Sequence, residues 1–173
     1  MKRTALFLGI ALALNTYATA QEKKRADHMM LGAGVFNIVK RPHRTLQVQF
    51  EYRWDLNFYH VRPLVSAMFT PTGAFYLCAG AGLDVYLGKH VVVTPSFAPG
   101  LYLRGDEGKN LHYPLEFRSA IEMAYECKNK MRFGAQFYHI SNASLGKKNP
   151  GSESLIVFLS LPLTGRFSPS RGS

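Results

Sequence analysis

Apolar and polar residues alternate along most of the chain with a period of two, the pattern of β-strands that have one apolar and one polar face. From Leu46 to Trp54 every even position is apolar or aromatic and every odd position is Gln, Glu or Arg. From Phe75 to Leu87 the odd positions are all apolar, and a similar alternation returns between residues 115 and 126. No helical periodicity persists over a comparable length, so the pattern predicts an all-β protein.

The alternating segments predict eight strands, most of them close to ten residues or longer. They cover residues 29–38, 45–54, 58–69, 74–87, 89–103, 115–126, 130–142 and 153–163. Strands of globular proteins usually have five or six residues, whereas a tilted strand that crosses a bilayer needs about 9 to 11. Tight connections at 55–57, 88 and 127–129 also contrast with longer ones at 104–114 and 143–152. These features favour an eight-stranded antiparallel transmembrane β-barrel of the outer-membrane type over a soluble, lipid-carrying barrel.

The polar face of these strands carries charged residues, which a barrel would enclose. They are Arg62, Asp84, Glu116, Arg118, Glu122 and Arg132. An eight-stranded barrel has room inside for side chains only, so these charges must pair with one another. We expect the three acidic residues to be partners of the three arginines, in a packed interior that is not a pore.

Three prolines, Pro63, Pro95 and Pro99, fall on predicted lipid-facing positions within strands. A proline lacks the N–H group that a strand donates to its neighbour. The sequence therefore predicts bulges or local breaks at these positions.

The first twenty residues have the features of a cleavable signal peptide. Lys2 and Arg3 precede an apolar run over residues 5–14, and Ala18-Thr19-Ala20 is a typical cleavage site. We expect residues 1–20 to be removed and residues 21–173 to form a single exported domain. No later segment approaches the roughly twenty apolar residues of a membrane-spanning helix.

Composition and charge indicate which class of partner the protein binds. The chain of 173 residues is 47% hydrophobic and only 18% charged, which excludes disorder. Of its 21 Lys and Arg residues two lie in the signal segment, which leaves 19 against 11 Asp and Glu. For an exported protein this positive charge favours anionic lipid headgroups over nucleic acid.

The cysteines and histidines give no sign of a disulfide or a metal centre. Cys78 and Cys127 fall near opposite ends of the predicted barrel, too far apart for a disulfide. Five histidines lack the spacing of metal ligands: His28, His43, His60, His90 and His112. We expect neither a metal nor an organic cofactor.

One group of polar residues interrupts the apolar, lipid-facing stripe. In the seventh predicted strand this stripe ends in His139 and Ser141, and Glu153 begins the corresponding stripe of the eighth. In either register that keeps these residues on one face, Glu153 lies opposite His139 or Ser141. The set fits acyl transfer, with Ser141 as nucleophile, His139 as general base and then acid, and Glu153 orienting the imidazole. Alternatively, these are polar belt residues at the membrane interface with no catalytic role.

The segment around these residues resembles a known family. His139-Ile140-Ser141-Asn142-Ala143, followed by Asn149-Pro150-Gly151-Ser152-Glu153, resembles the C-terminal signature of the outer-membrane lipid A 3-O-deacylases, the PagL family. The specific likeness covers about residues 115–163, and Ser144 stands where we expect glycine in the family. The resemblance implies an outer-membrane hydrolase that removes the ester-linked 3-hydroxyacyl chain from position 3 of lipid A through a Ser-His-Glu triad.

The same resemblance points to Asn142 and Asn149 as candidates for the oxyanion site, which must offer hydrogen-bond donors to the developing negative charge. Both also fit purely structural roles at a strand end and a turn. Lys147 and Lys148, close to the triad, are the better candidates for binding lipid A phosphates. More distant loop cations share this candidate role: Lys40, Arg41, Arg44, Arg104 and Lys109.

The expected partner is therefore lipid A, or lipopolysaccharide, in the outer leaflet of the bacterial outer membrane. The main alternative is a barrel without enzymatic activity that serves adhesion or envelope integrity. The sequence leaves open whether two barrels form a homodimer through their lipid-facing walls.

Overall fold

A computed structural model of the chain describes residues 26–56 and 59–163, and in them the alternating segments form nine strands. In chain order these are β1 (Asp27–Phe36), β2 (Thr45–Arg53), β3 (Val61–Phe69), β4 (Phe75–Leu83), β5 (Val85–Leu87), β6 (Val91–Leu103), β7 (Leu115–Glu126), β8 (Arg132–Ser141) and β9 (Ser152–Leu163). Predicted and observed strand ends differ by at most three residues. The predicted signal peptide lies outside the described residues, and its removal stays a prediction.

The strands close into a barrel. Antiparallel pairing runs in the order β4-β3-β2-β1-β9-β8-β7-β6-β5, and β4 also pairs with β6, which closes the sheet. The three-residue β5 continues β4 beyond Asp84 and keeps the same register against β6. Strands β4 and β5 thus act as one, and the described residues form the predicted closed barrel of eight antiparallel strands.

The two ends of the barrel differ in the length of their connections. At one end lie the loops L1 (37–44), L2 (70–74), L3 (104–114) and L4 (142–151), of which L2 alone is short; at the other lie the β2–β3 connection and the short turns 88–90 and 127–131. In outer-membrane barrels the longer loops lie outside and the short turns face the periplasm. We therefore refer to the end with L1–L4 as the outer end.

Within the described ranges, no helix is long and apolar enough to cross a membrane.

Polar and apolar side chains together fill the barrel, and its arginines are almost fully buried. Arg53 bonds the carboxylates of Glu51 and Glu122, and Arg118 donates to Glu51 at 2.7 Å. Asp84 lies 3.1 Å from Arg62 and 2.9 Å from Arg132.

The predicted pairing is correct for Asp84 only. Glu122 pairs with Arg53 and Arg118 with Glu51, while both carboxylate oxygens of Glu116 are buried without a hydrogen-bond partner among the described residues. Pairing across the lumen depends on the closure of the barrel, which alternation within single strands does not specify.

The outer wall is an apolar surface that continues around the barrel. Its exposed side chains include Met29, Leu31, Val48, Phe50, Phe69, Leu77, Leu83, Phe97, Leu101, Ile121, Met123, Phe133, Phe137, Val157, Leu159 and Leu161. An apolar surface of this extent fits the hydrocarbon core of a bilayer.

The prolines interrupt pairing without shifting the register. The ladder between the β4–β5 strand and β6 is interrupted opposite Pro95 and Pro99, yet the same register continues on both sides of each gap. Pro63 lies where the β2–β3 ladder ends and still accepts a hydrogen bond from the Trp54 N–H group at 3.0 Å. Of the predicted alternatives, these are local breaks, and no residue is inserted as in a bulge.

Cys78 is buried, Cys127 is partly exposed, and both are free cysteines.

Candidate active site

The register of β8 and β9 decides which residues meet on the lipid-facing wall. His139 is paired directly with Glu153, close to the outer ends of both strands. The direct pairing is one of the two registers that keep the polar residues on one face. It brings an imidazole and a carboxylate side by side on an otherwise apolar surface.

The two side chains are hydrogen-bonded. His139 Nδ1 lies 3.2 Å from Glu153 Oε1, and the exposed fractions are 43% for the His139 side chain and 22% for Glu153. The other carboxylate oxygen, Oε2, is buried and lacks a partner within residues 26–56 and 59–163. A carboxylate at Nδ1 favours the tautomer that carries its proton there, which leaves Nε2 free as a base.

Two serines lie next to His139. Ser141 is two residues further along β8, on the same face and roughly 7 Å away along the strand. Ser119 of β7 is paired directly with His139, on the side opposite Glu153. For neither hydroxyl is a hydrogen bond found in the described part of the chain. The alternation along the chain does not distinguish Ser119, because its position beside His139 depends on the β7–β8 register.

Loop L4 folds around Asn142, which is fully buried immediately after Ser141. The Asn142 Nδ2 group donates to the carbonyl oxygens of Leu111, at 3.1 Å, and Lys148, at 2.8 Å. Its Oδ1 atom accepts the Ser144 N–H at 3.0 Å. Both amide hydrogens are therefore occupied in holding the loop.

Asn149 is held beside this loop origin. Its Oδ1 atom accepts the backbone N–H of Asn142 at 3.1 Å, and the residue is exposed. Because the carbonyl half of its amide points to the residue after Ser141, the amino half is the part that can donate elsewhere.

Gly151 packs against the imidazole. Its φ of +57° lies in the left-handed region that glycine favours. A Cβ atom there would stand only 2.7 Å from His139 Cε1. The Pro150-Gly151 pair predicts a turn from sequence, but the contact with His139 requires L4 to be folded.

The candidate phosphate ligands fall into two groups. Lys147 and Lys148 are exposed in L4, close to the site. Lys109, in contrast, is 7% exposed and hydrogen-bonded to Asn37 of L1 and Gly151 of L4. As a phosphate ligand Lys109 would have to leave these partners, so the burial disfavours that role.

No group of three or more potential metal ligands among His, Cys, Asp and Glu occurs in the part of the chain that the structure describes.

Comparison with known proteins identifies the family. A family model described as lipid A 3-O-deacylase (PagL) matches residues 40–162, well over half of the chain. The chain belongs to this family. The matched range includes Ser141, His139 and Glu153 and most of the barrel.

Solved structures share the fold of this PagL-family chain. The crystal structure of the outer-membrane enzyme PagL superposes with a TM-score of 0.64 at 16% identity, covering 79% of this chain and 99% of that one. Neisserial surface protein A gives 0.62 at 12% identity, with 79% and 97% covered. A de novo designed transmembrane β-barrel gives 0.58 at 8% identity, with 83% and 100% covered. A search of curated proteins gave no match.

The position at which we expected glycine in the PagL family keeps a glycine-like conformation. Ser144 has a φ of +65°, and the preceding Ala143 a φ of +51°. Left-handed backbone costs a non-glycine residue roughly 1 to 2 kcal/mol. The Asn142 hydrogen bond to the Ser144 N–H helps to hold this conformation.

Proposed function

We propose that this PagL-family protein hydrolyses the ester that joins a 3-hydroxyacyl chain to position 3 of lipid A, with Ser141, His139 and Glu153 as its catalytic triad. The observation that carries the proposal is the hydrogen-bonded His139–Glu153 pair beside Ser141, on the lipid-facing wall at the outer end. An ionisable pair costs free energy at such a position, so its presence there supports a functional role.

The chemistry follows from the roles that these atoms can take. Ser141 Oγ attacks the ester carbonyl carbon while His139 Nε2 takes the hydroxyl proton. The collapsing tetrahedral intermediate releases the sugar oxygen, which receives that proton from the imidazolium, and leaves an acyl group on Ser141. Water, activated by the same imidazole, then releases the 3-hydroxy acid and restores Ser141. Glu153 holds the imidazole and stabilises its positive charge in both steps.

Hydrogen-bond donors favour Ser141 over Ser119 as the nucleophile. The negative oxygen of the intermediate needs donors about 3 Å away. L4 begins immediately after Ser141, and the Asn149 amide is held at that point with its amino group available. Ser119 lies two residues deeper in the wall, at the level of His139. In this proposal Asn149 supplies an oxyanion donor, and Asn142 positions the loop with its own amide fully engaged.

A site on the outer wall suits a substrate that already resides in the membrane. The lumen is filled by buried side chains, several of them in ion pairs, whereas the acyl chains of lipid A can lie against the apolar wall. Lateral diffusion then brings the ester to Ser141, and part of the entropic cost of positioning is already met by the bilayer.

The function is tested by mass spectrometry of lipid A from cells that produce the wild type, His139→Gln or His43→Gln. His43 is an exposed residue of L1 and serves as the matched control. We expect loss of one 3-hydroxyacyl mass with the wild type and His43→Gln, and intact lipid A with His139→Gln. In water enriched in oxygen-18, the released acid should carry one labelled carboxyl oxygen.

Intact lipid A in cells whose wild-type barrel is folded in the outer membrane would reject the proposal in favour of a barrel without enzymatic activity. Proper insertion is checked separately, by the shift in gel mobility that folded barrels show on heating.

The proposed phosphate contacts of Lys147 and Lys148 predict a salt-dependent effect on binding. Replacing both by alanine should raise KM for phosphorylated lipid A about three- to tenfold at low ionic strength with kcat unchanged, because exposed ion pairs are individually weak and screened by salt. The difference should shrink as salt is added. Lys89→Ala with Lys128→Ala, at the opposite end of the barrel, is the control pair. An equal KM change with dephosphorylated lipid A would contradict phosphate contact.

A further inference from the structure

Lys109 is a buried lysine at the outer mouth of the barrel, and it has no part in the triad. It is the only lysine that is buried among the described residues, with 7% of its surface exposed. Lysine is seldom buried unless its ammonium group is hydrogen-bonded or paired with a carboxylate. Its contacts therefore indicate what holds it there.

The Lys109 ammonium group joins three loops at one point. Nζ donates to Asn37 Oδ1 of L1 at 2.7 Å and to the carbonyl oxygen of Gly151 in L4. Lys109 itself belongs to L3, and its carbonyl oxygen accepts the Tyr102 hydroxyl at 2.8 Å. The Asn37 amide in turn donates to the carbonyl oxygens of Lys40 and Pro42, at 3.2 and 2.6 Å.

The L4 residue that Lys109 holds is the one that supports the imidazole. Gly151 stands so close to His139 that an added Cβ would be 2.7 Å from Cε1. Two further bonds fix the same segment from L1, since Lys40 Nζ donates to the Pro150 carbonyl oxygen and the Ile38 N–H donates to that of Glu153, both at 2.8 Å. The backbone at Pro150 and Glu153, on either side of Gly151, is thus tied to L1, and Lys109 adds the tie to L3.

Opposing effects act on the charged form of the Lys109 ammonium group. Burial lowers the pKa of Lys109 below its ordinary value, and the nearby positive charge of Lys40 adds to this effect, whereas the carboxylate of Glu153 opposes it. The hydrogen bonds to Asn37 and Gly151 compensate for the lost hydration of the ammonium group. Removing the group would leave two acceptors at the loop junction without their charged donor.

We propose that Lys109 is a positioning residue for the active site, which holds the Gly151 backbone against His139 and so keeps the imidazole aligned with Ser141. This inference rests on the proposed hydrolytic function. Lys109 does not touch the reacting atoms, and its effect passes through Gly151.

The test compares Lys109→Met, Lys109→Arg and Lys128→Met in the purified full-length barrel, with lipid A in detergent micelles as substrate. Methionine has about the length of lysine but cannot donate, and Lys128 is an exposed lysine of a periplasmic turn. Misplacement of a catalytic group by about 1 Å can cost up to roughly 100-fold. We expect Lys109→Met to lower kcat about 10- to 100-fold with KM within about twofold. Lys109→Arg should keep more activity than Lys109→Met, and Lys128→Met all of it.

A spectroscopic signal separates positioning from a general loss of stability. The imidazole resonances of His139, assigned by their absence in His139→Gln, should shift in Lys109→Met and stay unchanged in Lys128→Met. Gly151→Ala tests the contact between Gly151 and the His139 imidazole directly, because the added Cβ would collide with the ring. It should shift the same resonances and lower kcat while the barrel still folds.

An unchanged kcat and an unchanged His139 signal in Lys109→Met would overturn the inference. A change in KM alone would also overturn it and would assign Lys109 to substrate binding. If Ser141→Ala abolishes hydrolysis while Lys109→Met retains full kcat, only the positioning role fails. If Ser141→Ala remains fully active, the proposed triad itself fails.

Discussion

Replacement of Ser141 by alanine is expected to reduce the rate of lipid A deacylation at least about 1,000-fold, the largest effect of any single substitution considered. The hydroxyl is the only group of the proposed triad that forms a covalent bond with the substrate, so no neighbour replaces it. The rate is measured with purified barrel and lipid A in detergent micelles, from the released 3-hydroxy acid. Binding of lipid A should persist, because the apolar wall and loop cations are unchanged.

Ser119→Ala is the matched comparison for Ser141→Ala. Ser119 also lies beside His139 on the lipid-facing wall, and neither serine hydroxyl has a hydrogen-bond partner among the described residues. We expect Ser119→Ala to keep at least about a third of the wild-type rate. The reverse outcome, an active Ser141→Ala with an inactive Ser119→Ala, would assign the nucleophile to β7 and contradict the role of Ser141.

The second large effect concerns the folded barrel. Arg53→Met should lower the free energy of unfolding by about 3 to 5 kcal/mol, because it leaves Glu51 and Glu122 buried with one partner less. Arg53 is 4% exposed, so water does not readily replace its guanidinium group. The free energies of unfolding are compared by titrating each variant with urea and measuring the folded fraction from its heat-dependent gel mobility.

A second substitution tests the physical cause of that loss. Combining Arg53→Met with Glu122→Gln removes one uncompensated carboxylate and should recover part of the lost stability. Arg41→Met, at an exposed position of L1, should change it by less than about 0.5 kcal/mol. If Arg53→Met were as stable as Arg41→Met, the ion pairs of the lumen would not contribute to stability as argued.

The alternation within each segment was enough to predict the strands, because buried and exposed side chains alternate along each strand. The segment predicted over residues 115–126 is β7 itself, and the placement of Glu122 and Arg132 inside the barrel follows from parity alone. The candidate site could be predicted from the sequence for the same reason. His139, Ser141 and Glu153 are polar residues at positions where parity requires apolar ones, and a resemblance between short motifs was enough to suggest the PagL family.

Contacts between segments that are far apart in the sequence could not be predicted in this way. Arg118 is paired with Glu51, 67 positions away in the sequence. A period-two pattern places both side chains inside the barrel, but it does not specify which inward-facing residues pair across the lumen. The adjacency of Ser119 to His139 required the β7–β8 register. Lys109 appeared among the phosphate candidates because a loop lysine is ordinarily solvated, and only the folded loops show that it is buried.

Alternation along the chain was therefore enough to predict which residues form strands, which face of each strand meets lipid, and which polar residues stand out on that face. These properties depend on side-chain chemistry at fixed spacing along the chain. The folded barrel was needed to show which strands and loops come together: Glu153 with His139, Arg53 with Glu122, and Lys109 with Gly151. These contacts depend on barrel closure, strand register and loop conformation, which are set by the packing of the whole chain and leave little trace in local periodicity.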